Sequence, residues 1–448
     1  MNPRPIPSHD SPFPGNCGLF GDAVALRDRT ASQSVRYPEL GDFLSRAWTR
    51  VEVEKPSTLA TWARPTFEHA SILLAALAGG CVVAPLGFRL PRTEARRRAI
   101  EAGAGLLFDG AEFEPLPPPA SSVSPLGAGT LLFTSGSSGP ARMVRHPLAA
   151  HLANAAGAAE RIPLEPGCGW LLSLPLHHVS GFSILVRCLT AGATVVFPDA
   201  NLPLEKQMED SAVTHLSVVA VQLRHLLKVG APLKRLRAVL LGGGPIDPTL
   251  VRDALQAGAP LFVTYGMTET ASQITTTEQL LSAPAGIHAG KALPGREIRF
   301  SPQGEIEVRG PVLAAGISTH PEGWYPTGDA GSFDAEGNLL IHGRRDRMII
   351  SGGENIHPET LEQILGTCAG VRRAVVVGVP DRDYGQRPVA FVCGQVDAQS
   401  LRNCLATQVE RFAIPDRFLH WPADVDPDSA KLDFRRMERL ALEHPPVP

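Results

Sequence analysis

The chain has 448 residues, of which 44% are hydrophobic and 19% charged, and its formal net charge is −3. This length predicts two or more domains, and the composition is that of a globular protein. The nearly balanced charge argues against nucleic acid or an anionic membrane surface as a partner, because both select basic proteins.

The N-terminal segment, residues 1–16, is rich in proline and polar side chains and has no apolar stretch that would act as a secretory signal. The chain also has seven cysteines, an odd number, and none of them has CxxC spacing. We therefore expect free thiols in a reducing compartment and a cytoplasmic protein.

Residues 72–87 are apolar but are interrupted by Gly79, Gly80 and Pro85. The stretch is shorter than the roughly 18 unbroken apolar residues that a membrane span requires. It predicts a buried helix, a glycine turn and a buried strand, and no integral membrane span.

Short apolar runs that end in glycine turns alternate with helical patterns along the chain, which is typical of α/β proteins. Residues 130–134, 238–241 and 261–264 are three such runs. Because ligands bind at the carboxyl ends of strands in α/β sheets, these turns predict a pocket at the carboxyl edge of a sheet.

Two β-hairpins are predicted next, at residues 296–309 and 332–342, with turns at Gly304 and Gly337. After residue 344 the pattern changes to short strands at 348–350, 373–379 and 389–392 and helices at 359–365 and 401–409. We predict an α/β fold with a large multi-sheet N-terminal domain, residues 1–343, and a small α+β C-terminal domain, residues 344–448.

Residues 134–142 read Thr-Ser-Gly-Ser-Ser-Gly-Pro-Ala-Arg and follow an apolar strand. Glycines allow the backbone to approach an anion closely, and hydroxyl and N–H groups can surround phosphate oxygens. The segment is not a Walker A sequence, which requires GxxxxGK[ST]. Phosphate binding and a flexible Ser/Gly turn both stay open for this segment alone.

Two further turns carry carboxylates. Glu269, in YGMTE (265–269), suits a Mg²⁺ ligand because hard cations take oxygen donors, although a surface helix cap would use the same residues. Asp329, in YPTGD (325–329), suits the vicinal hydroxyls of a ribose, and a plain turn aspartate is the alternative.

In this order, the segments resemble the adenylate-forming superfamily of acyl-CoA synthetases, peptide-synthetase adenylation domains and luciferases. The resemblance extends over residues 20–440. Its motifs are the Ser/Gly loop (134–142), PLHHVSG (175–181), YGMTE (265–269), YPTGD (325–329), GRRDRMIISGGENIHPETLE (343–362) and Lys431.

Within the superfamily, the short length and the segments LPLHHVSGFSILVRCLTAGA (174–193) and AVLLGGGPI (238–246) are most similar to the o-succinylbenzoate–CoA ligases of menaquinone biosynthesis. On that resemblance Arg187 lies where these ligases place an arginine that faces the succinyl carboxylate. A guanidinium suits this role because it binds a carboxylate with two hydrogen bonds. The alternative is an arginine that only extends from an apolar helix.

The resemblance implies that ATP, with Mg²⁺, activates a small carboxylic acid as an acyl-adenylate. Glu269 would hold Mg²⁺, Thr268 would bind the α-phosphate, and Lys431 would bridge the acid and the α-phosphate. His178 would line and gate the acid pocket. The residues implied for nucleotide binding are Thr134, Ser135, Gly136, Ser137, Ser138, Gly139, Arg142, Gly243, Gly244, Tyr265, Asp329 and Arg344.

A second half-reaction is implied in which the thiol of CoA, the co-substrate, attacks the adenylate. The C-terminal domain is mobile in the family and rotates about a hinge at the position of Asp346. This rotation would remove Lys431 and bring Gly352 and Gly353 to line the CoA tunnel. Dimerisation is common among these enzymes, so a homodimer is a further expectation.

Two positions depart from the family pattern. The phosphate loop usually ends in Pro-Lys but here ends in Ala141-Arg142, which keeps the charge and changes the geometry. The C-terminal lysine usually follows glycine, but here Ala430 precedes Lys431. Three alternatives therefore stay open: a ligase for another aryl or acyl acid, an adenylation enzyme that loads a carrier protein in trans, and a nucleotide-binding protein without turnover.

Overall fold

The computed structural model describes residues 20–52, 56–63, 66–117, 127–134, 142–244, 248–282, 288–352, 354–429 and 432–443. These residues form helices and strands that are distributed over four sheets. The predicted α/β fold, with a large multi-sheet N-terminal part and a smaller C-terminal part, is confirmed.

The strands follow one another along the whole chain, and most of them are short. In chain order they are β1 (Val24–Asp28), β2 (Gln33–Arg36), β3 (Thr58–Ala63), β4 (Val82–Gly87), β5 (Leu106–Phe108), β6 (Phe113–Pro115), β7 (Gly129–Thr134), β8 (Arg142–Pro147), β9 (Gly169–Leu171), β10 (Thr194–Phe197), β11 (His215–Val218), β12 (Ala238–Leu241), β13 (Leu261–Met267), β14 (Ser272–Thr276), β15 (Lys291–Ala292), β16 (Glu297–Phe300), β17 (Glu305–Arg309), β18 (Tyr325–Phe333), β19 (Leu339–Arg344), β20 (Ile349–Ser351), β21 (Glu354–Ile356), β22 (Val371–Asp381), β23 (Gly385–Gly394) and β24 (Arg417–His420).

Helices separate many of these strands. In chain order they are α1 (Tyr37–Glu52), α2 (Phe67–Ala78), α3 (Arg92–Glu101), α4 (Leu148–Ala159), α5 (Val179–Ala191), α6 (Leu204–Gln207), α7 (Ala220–Lys228), α8 (Pro248–Gln256), α9 (Pro358–Thr367), α10 (Ala398–Ala406) and α11 (Phe434–Glu443). Among the described residues, none of the helices is both long and apolar enough to cross a membrane.

The apolar segment 72–87 forms the predicted helix, glycine turn and strand. Nearly every residue of α2 is buried, which is expected of a helix that is apolar all round. The side chain of Thr66 caps its first turn by accepting a hydrogen bond from the backbone N–H of His69. The helix ends at Gly79, where a Cβ atom would lie 2.6 Å from the ring of Trp48.

Two large sheets form the N-terminal part of the molecule. One has the strand order β6-β5-β3-β4-β7-β8, and the other has the order β15-β14-β13-β12-β11-β9-β10-β1-β2. Helices α1, α2 and α5 share one core with strands of both sheets, including Leu59 of β3, Leu73 of α2, Phe182 of α5 and Val195 of β10. The central strands are parallel and buried, which explains their continuous apolar runs.

The prediction that three strands with glycine turns share the carboxyl edge of one sheet is wrong for one of the three strands. Strand β7 belongs to the six-stranded sheet, whereas β12 and β13 are parallel neighbours in the nine-stranded sheet. The local patterns located the strands correctly. Strand pairing depends on contacts between residues that are far apart in the sequence. Local sequence patterns do not predict such contacts.

A four-stranded antiparallel sheet, β16-β17-β18-β19, contains both predicted hairpins. Their turns lie between β16 and β17 and between β18 and β19, and the glycines at these turns, Gly304 and Gly337, have positive φ angles of 76° and 82°. Glycine adopts this conformation without a Cβ clash, so the predicted turn positions are confirmed.

The C-terminal sheet has the order β21-β20-β23-β22, and β24 also pairs with β23. Helices α9 and α10 cover one face through Leu361, Leu365 and Leu401. Helix α11 covers the other face through Met437 and Ala441. We call this sheet with its helices, within residues 349–443, the C-terminal unit.

The expectation of free thiols is wrong for two cysteines. Cys368, at the end of α9, and Cys404, in α10, form a disulfide with a Cα–Cα distance of 6.5 Å. Their separation of 36 residues matches no motif, so the sequence gives no signal for this pairing. Cys81, Cys168, Cys188 and Cys393 are free, and Cys17 lies outside the described residues.

Candidate active site

A cavity of about 330 Å³ lies where the nine-stranded sheet, the four-stranded sheet and α9 meet. Of the residues predicted for nucleotide binding, five line it. The complete lining is Gly243, Gly244, Thr264, Tyr265, Gly266, Met267, His288, Ala289, Asp329, Ile341, Gly343, Arg344, Glu359 and Gln363. Such a concave, mixed polar and apolar space at strand ends suits a small-molecule ligand.

Tyr265, Asp329 and Arg344 form a hydrogen-bonded group in this cavity. The Tyr265 hydroxyl donates to Oδ2 of Asp329 at 2.6 Å, and Nη1 of Arg344 donates to Oδ1 at 3.3 Å. Asp329 and Arg344 are directly paired across β18 and β19. Burial raises the pKa of Asp329, and its two partners oppose this shift by stabilising the carboxylate.

Three glycines make this geometry possible. A Cβ atom at Gly328 would lie 2.8 Å from Nη2 of Arg344, and one at Gly266 would lie 1.8 Å from the backbone oxygen of Ser272. Gly243, which follows β12, has a φ of 81°. Gly266 excludes larger residues by contact with the backbone, whereas Gly328, with a φ of 77°, and Gly243 require a conformation that favours glycine.

Thr268 and Glu269 lie in a short 3₁₀ turn, Thr268–Thr270, directly after β13. The backbone oxygen of Glu269 accepts a hydrogen bond from Ala314 at 2.9 Å. Its carboxylate is half-buried, and within the described part of the chain it has no ion pair.

The environment of Tyr325 shows which charges converge near this turn. The pKa of Tyr325 is raised to about 12, chiefly by burial. The charged groups that also act on its hydroxyl are Glu269, Arg344, Arg142 and Asp329. Charged residues of four separate segments therefore lie within electrostatic range of this one hydroxyl.

These residues fit a Mg²⁺–nucleotide complex. Within the described part of the chain, no group of three or more His, Cys, Asp or Glu side chains could hold a metal by itself. Mg²⁺ is normally held by one or two carboxylates together with phosphate oxygens, so the half-buried carboxylate of Glu269 is a suitable ligand.

The Ser/Gly loop is described only at its ends. Thr134 ends β7 and Arg142 begins β8, where the two residues pair and the Thr134 hydroxyl donates to the backbone oxygen of Arg142 at 3.3 Å. The predicted phosphate ligands between them lie outside the described residues, and so do two residues of the C-terminal part. These are Ser135, Gly136, Ser137, Ser138, Gly139, Gly353 and Lys431.

Arg187 is a buried cation that is only partly paired. It lies in α5 with 2% of its surface exposed, donates from Nη2 to Oε1 of Gln273 at 2.6 Å, and packs 4.4 Å from the ring centroid of Trp170. Its Nε and Nη1 have no hydrogen-bond partner in the described part of the chain. Burial lowers the pKa of Arg187 to about 10, so the group stays charged at neutral pH.

Arg187 is connected to the cavity through β14. Gln273, its hydrogen-bond partner, pairs across the sheet with Gly266, which lines the cavity. His178, predicted for the acid pocket, precedes α5 as its N-cap residue and is exposed. The neighbouring His177 is half-buried beside Gly87, and burial lowers its pKa to about 4.

The predicted hinge residue Asp346 precedes the C-terminal unit, the predicted tunnel residue Gly352 lies within it, and neither of the two lines the cavity. Asp346 is in a 3₁₀ turn and accepts a hydrogen bond from Nε of Arg344 at 3.2 Å. Gly352 has a φ of 60°, and its backbone N–H donates to the oxygen of Tyr384 at 2.8 Å.

Two residues at the site have no role predicted from the sequence. Glu359 of α9 lines the cavity, is 6% exposed and accepts a hydrogen bond from Nη1 of Arg347 at 2.8 Å. Its position inside the motif at 343–362 was a usable signal. Gln273, the partner of Arg187, gave no such signal, since a single glutamine in a strand is common.

Comparison with known proteins shows the same two-part organisation. Residues 109–317 match the AMP-binding enzyme family, and residues 360–426 match the AMP-binding enzyme C-terminal domain. The 2-succinylbenzoate–CoA ligase of Salmonella typhimurium is 36% identical over 325 residues, which are 70% of this chain and 69% of the relative. The Bacillus cereus enzyme of the same name is 31% identical over 95% of this chain and 98% of the relative.

A solved structure agrees with these relatives. The o-succinylbenzoate CoA synthetase from Bacillus subtilis, in complex with its acyl-adenylate intermediate, has a TM-score of 0.80 and 27% identity. The alignment covers 96% of this chain and 98% of that one. The Bacillus subtilis enzyme has also been solved in complex with ATP and a magnesium ion.

Proposed function

The chain belongs to the AMP-binding enzyme family of 2-succinylbenzoate–CoA ligases, and from this premise we propose that it converts 2-succinylbenzoate to 2-succinylbenzoyl-CoA in menaquinone biosynthesis. The enzyme is an AMP-forming acid–CoA ligase that uses ATP and Mg²⁺, with CoA as co-substrate. Its partners are small molecules, a carboxylic acid and CoA.

The choice of acid rests on the incomplete hydrogen bonding of the buried Arg187 side chain. Two of its guanidinium nitrogens are buried without a hydrogen-bond partner in the described residues, and a buried charge of this kind is costly unless an anion pairs with it. An acid with a second carboxylate supplies that anion, whereas a simple benzoate does not. Arg187 lies on the neighbouring helix beside Gln273 and can therefore bind the end of the acid remote from the nucleotide.

In the first half-reaction, one carboxylate oxygen of the acid attacks the α-phosphorus of ATP, and pyrophosphate leaves. We assign ribose binding to Asp329 and Arg344, and adenine contact to Tyr265, because these three line one cavity. Gly243 and Gly244 supply backbone contacts beside them.

Phosphate binding is assigned to the loop that Thr134 and Arg142 delimit, with Ser135, Gly136, Ser137, Ser138 and Gly139 between them. Thr268 is assigned to the α-phosphate. Glu269 would hold Mg²⁺, which neutralises phosphate charge when bound. We propose that Lys431 bridges the acid and the α-phosphate, and that His178 borders the acid.

In the second half-reaction, the thiolate of CoA attacks the acyl carbon of the mixed anhydride, and AMP leaves. We propose a domain boundary after residue 343, with residues 344–448 as a mobile lid that turns at Asp346. Gly352 and Gly353 would then face the CoA chain. The contact of Glu359 with Gly343 is one that such a rotation would break.

A cytoplasmic location follows from the co-substrates, because ATP and CoA are available there. The family resemblance also supports a homodimer, which sedimentation equilibrium would test. Both statements are proposals that do not depend on the choice of acid.

The decisive experiment supplies ATP, Mg²⁺ and CoA together with a panel of acids and measures AMP release. We expect 2-succinylbenzoate to have the highest kcat/KM, and benzoate and simple fatty acids to be poor substrates. A preference for benzoate over 2-succinylbenzoate would contradict the assigned substrate. It would not contradict the ligase reaction.

A further inference from the structure

Residues 268–273, which comprise the turn after β13 and the first two residues of β14, join the two ends of the proposed active site. Thr268 and Glu269 at its start are assigned to the α-phosphate and to Mg²⁺. Gln273 at its end is the hydrogen-bond partner of Arg187. We call these six residues the connecting turn.

The backbone of the connecting turn is strained. Ala271 has a φ of 51° and Ser272 a φ of 114°, and neither residue is a glycine. Side chains with a Cβ atom rarely adopt such angles, and they persist only where the surroundings hold them. The surrounding contacts must therefore favour this conformation over a relaxed one.

His146, in β8, supplies one of these contacts. Its ring is buried, with 1% of its surface exposed, and its Nε2 lies 2.6 Å from the backbone oxygen of Thr268. A carbonyl oxygen can only accept, so Nε2 carries the hydrogen and donates it. The hydroxyl of Thr130 lies 3.4 Å from Nδ1, on the opposite side of the ring.

Asn154, in α4, supplies two more contacts to the connecting turn. Its side chain is 1% exposed, and its Nδ2 donates to the backbone oxygens of Thr270 at 3.2 Å and Gln273 at 3.0 Å. Both hydrogens of the amide are thus used on the connecting turn. Three backbone carbonyl groups of the connecting turn therefore accept hydrogen bonds from side chains of β8 and α4, the two elements that follow the Ser/Gly loop.

We propose that His146 and Asn154 are positioning residues that hold the connecting turn in its strained form and so fix the spacing between the phosphate end and the acid end of the site. The inference rests on the proposed function for what lies at each end. The contacts themselves are independent of the substrate.

The first test measures the turn without any ligand, by hydrogen–deuterium exchange of the backbone amides of residues 268–273. We compare the full-length wild type with His146→Leu, which removes the donor, and with His146→Gln, whose amide nitrogen can replace Nε2. The control is His69→Leu, which removes an equally buried histidine from α2 and does not touch the turn. We expect at least tenfold faster exchange in His146→Leu, wild-type exchange in His69→Leu, and restored protection in His146→Gln.

The second test separates the two ends of the site by steady-state pyrophosphate exchange. In His146→Leu we expect kcat to fall at least tenfold and the Mg²⁺ concentration for half-maximal rate to rise, with less than a twofold change in KM for the acid. In Asn154→Leu, which leaves the backbone oxygen of Gln273 bonded to Nε of Arg296 without the second donor, we expect KM for the acid to rise at least fivefold.

Unchanged exchange of the turn in His146→Leu would overturn the proposal, as would a loss of rate that only follows the loss of folded protein. If the wild type forms no adenylate from 2-succinylbenzoate, the proposed function fails. The hydrogen–deuterium exchange measurement still decides whether His146 holds the turn, because it requires no substrate.

Discussion

The hydroxyl of Tyr265 donates a hydrogen bond to Oδ2 of Asp329 at 2.6 Å, which joins strands β13 and β18 across 64 residues of sequence. The bond fixes the carboxylate that we assign to the ribose. It also opposes the effect of burial, which raises the pKa of Asp329.

Replacing Tyr265 by phenylalanine should therefore weaken nucleotide binding. A hydrogen bond to a charged group contributes about 1.5–3 kcal/mol, so we expect KM for ATP to rise about tenfold. Calorimetric titration with ATP would measure the effect without catalysis. The control is Tyr37→Phe. The buried hydroxyl of Tyr37 donates to the backbone oxygens of Cys188 and Ala193, so the substitution should lower stability without changing ATP affinity.

Arg187→Met should remove the preference for an acid with two carboxylates. Leaving one partner of a buried charge pair unmatched costs about 2–5 kcal/mol, which predicts that kcat/KM for 2-succinylbenzoate falls about 30-fold or more. The rate with benzoate serves as the internal control, because that acid has no second carboxylate. Equal losses for both acids would show that Arg187 supports the fold and does not select the substrate.

Five of the fourteen residues that line the cavity were predicted from the sequence, because each of these five lies in a short motif. The pattern predicted Tyr265 and Asp329 at turns, whereas the structure places them inside strands β13 and β18. Their mutual contact was not predictable, since it depends on how two separate sheets meet. Gln273 was missed for the same reason: its role comes from Arg187, which lies 86 residues away in the sequence.

The same limitation explains the two errors in the fold. Assigning β7 to the sheet of β12 and β13 required knowledge of strand pairing between distant segments. The disulfide between Cys368 and Cys404 required knowledge of how α9 packs on α10. Hydrophobic periodicity predicts which face of a helix or strand is buried, but it does not identify the element that packs against that face.

Reduction should destabilise the C-terminal unit. A disulfide that closes a loop of 36 residues contributes about 3–4 kcal/mol in the chain-entropy description. We expect Cys368→Ser to lower the free energy of unfolding of this unit, measured by chemical denaturation, by that amount. The control is Cys393→Ser, which changes a free thiol in the same unit. Alkylation of Cys368 and Cys404 in the unreduced, unfolded protein would contradict the disulfide.

Stability should fall as the pH is lowered from 6.5 towards 4. Burial is the main reason that the pKa of His215 is lowered to about 4. The unfolded chain therefore binds a proton in this pH range that the folded chain excludes. Each such histidine reduces the free energy of unfolding by about 1.4 kcal/mol per pH unit.

The surroundings of His215 explain this behaviour. Its Nε2 donates to the backbone oxygen of Pro163 at 2.7 Å, while Arg237 and Arg187 disfavour a second proton. Chemical denaturation at several pH values would measure the slope. In His215→Gln the slope should decrease by about one proton; an unchanged slope would show that other groups govern the acid transition.

Gly266→Ala should disrupt the site more than any other single methyl addition in the cavity. The new Cβ atom would lie 1.8 Å from the backbone oxygen of Ser272, so β13 and the connecting turn must separate. Overpacking of this kind costs about 1–3 kcal/mol in stability, and a displacement near 1 Å at the site lowers kcat/KM about 100-fold. Gly366→Ala, at an exposed position in α9 with open space around it, is the matched control, and it should stabilise the protein by about 0.5–1 kcal/mol. Full activity in Gly266→Ala would mean that the spacing between Tyr265 and the connecting turn does not govern the reaction.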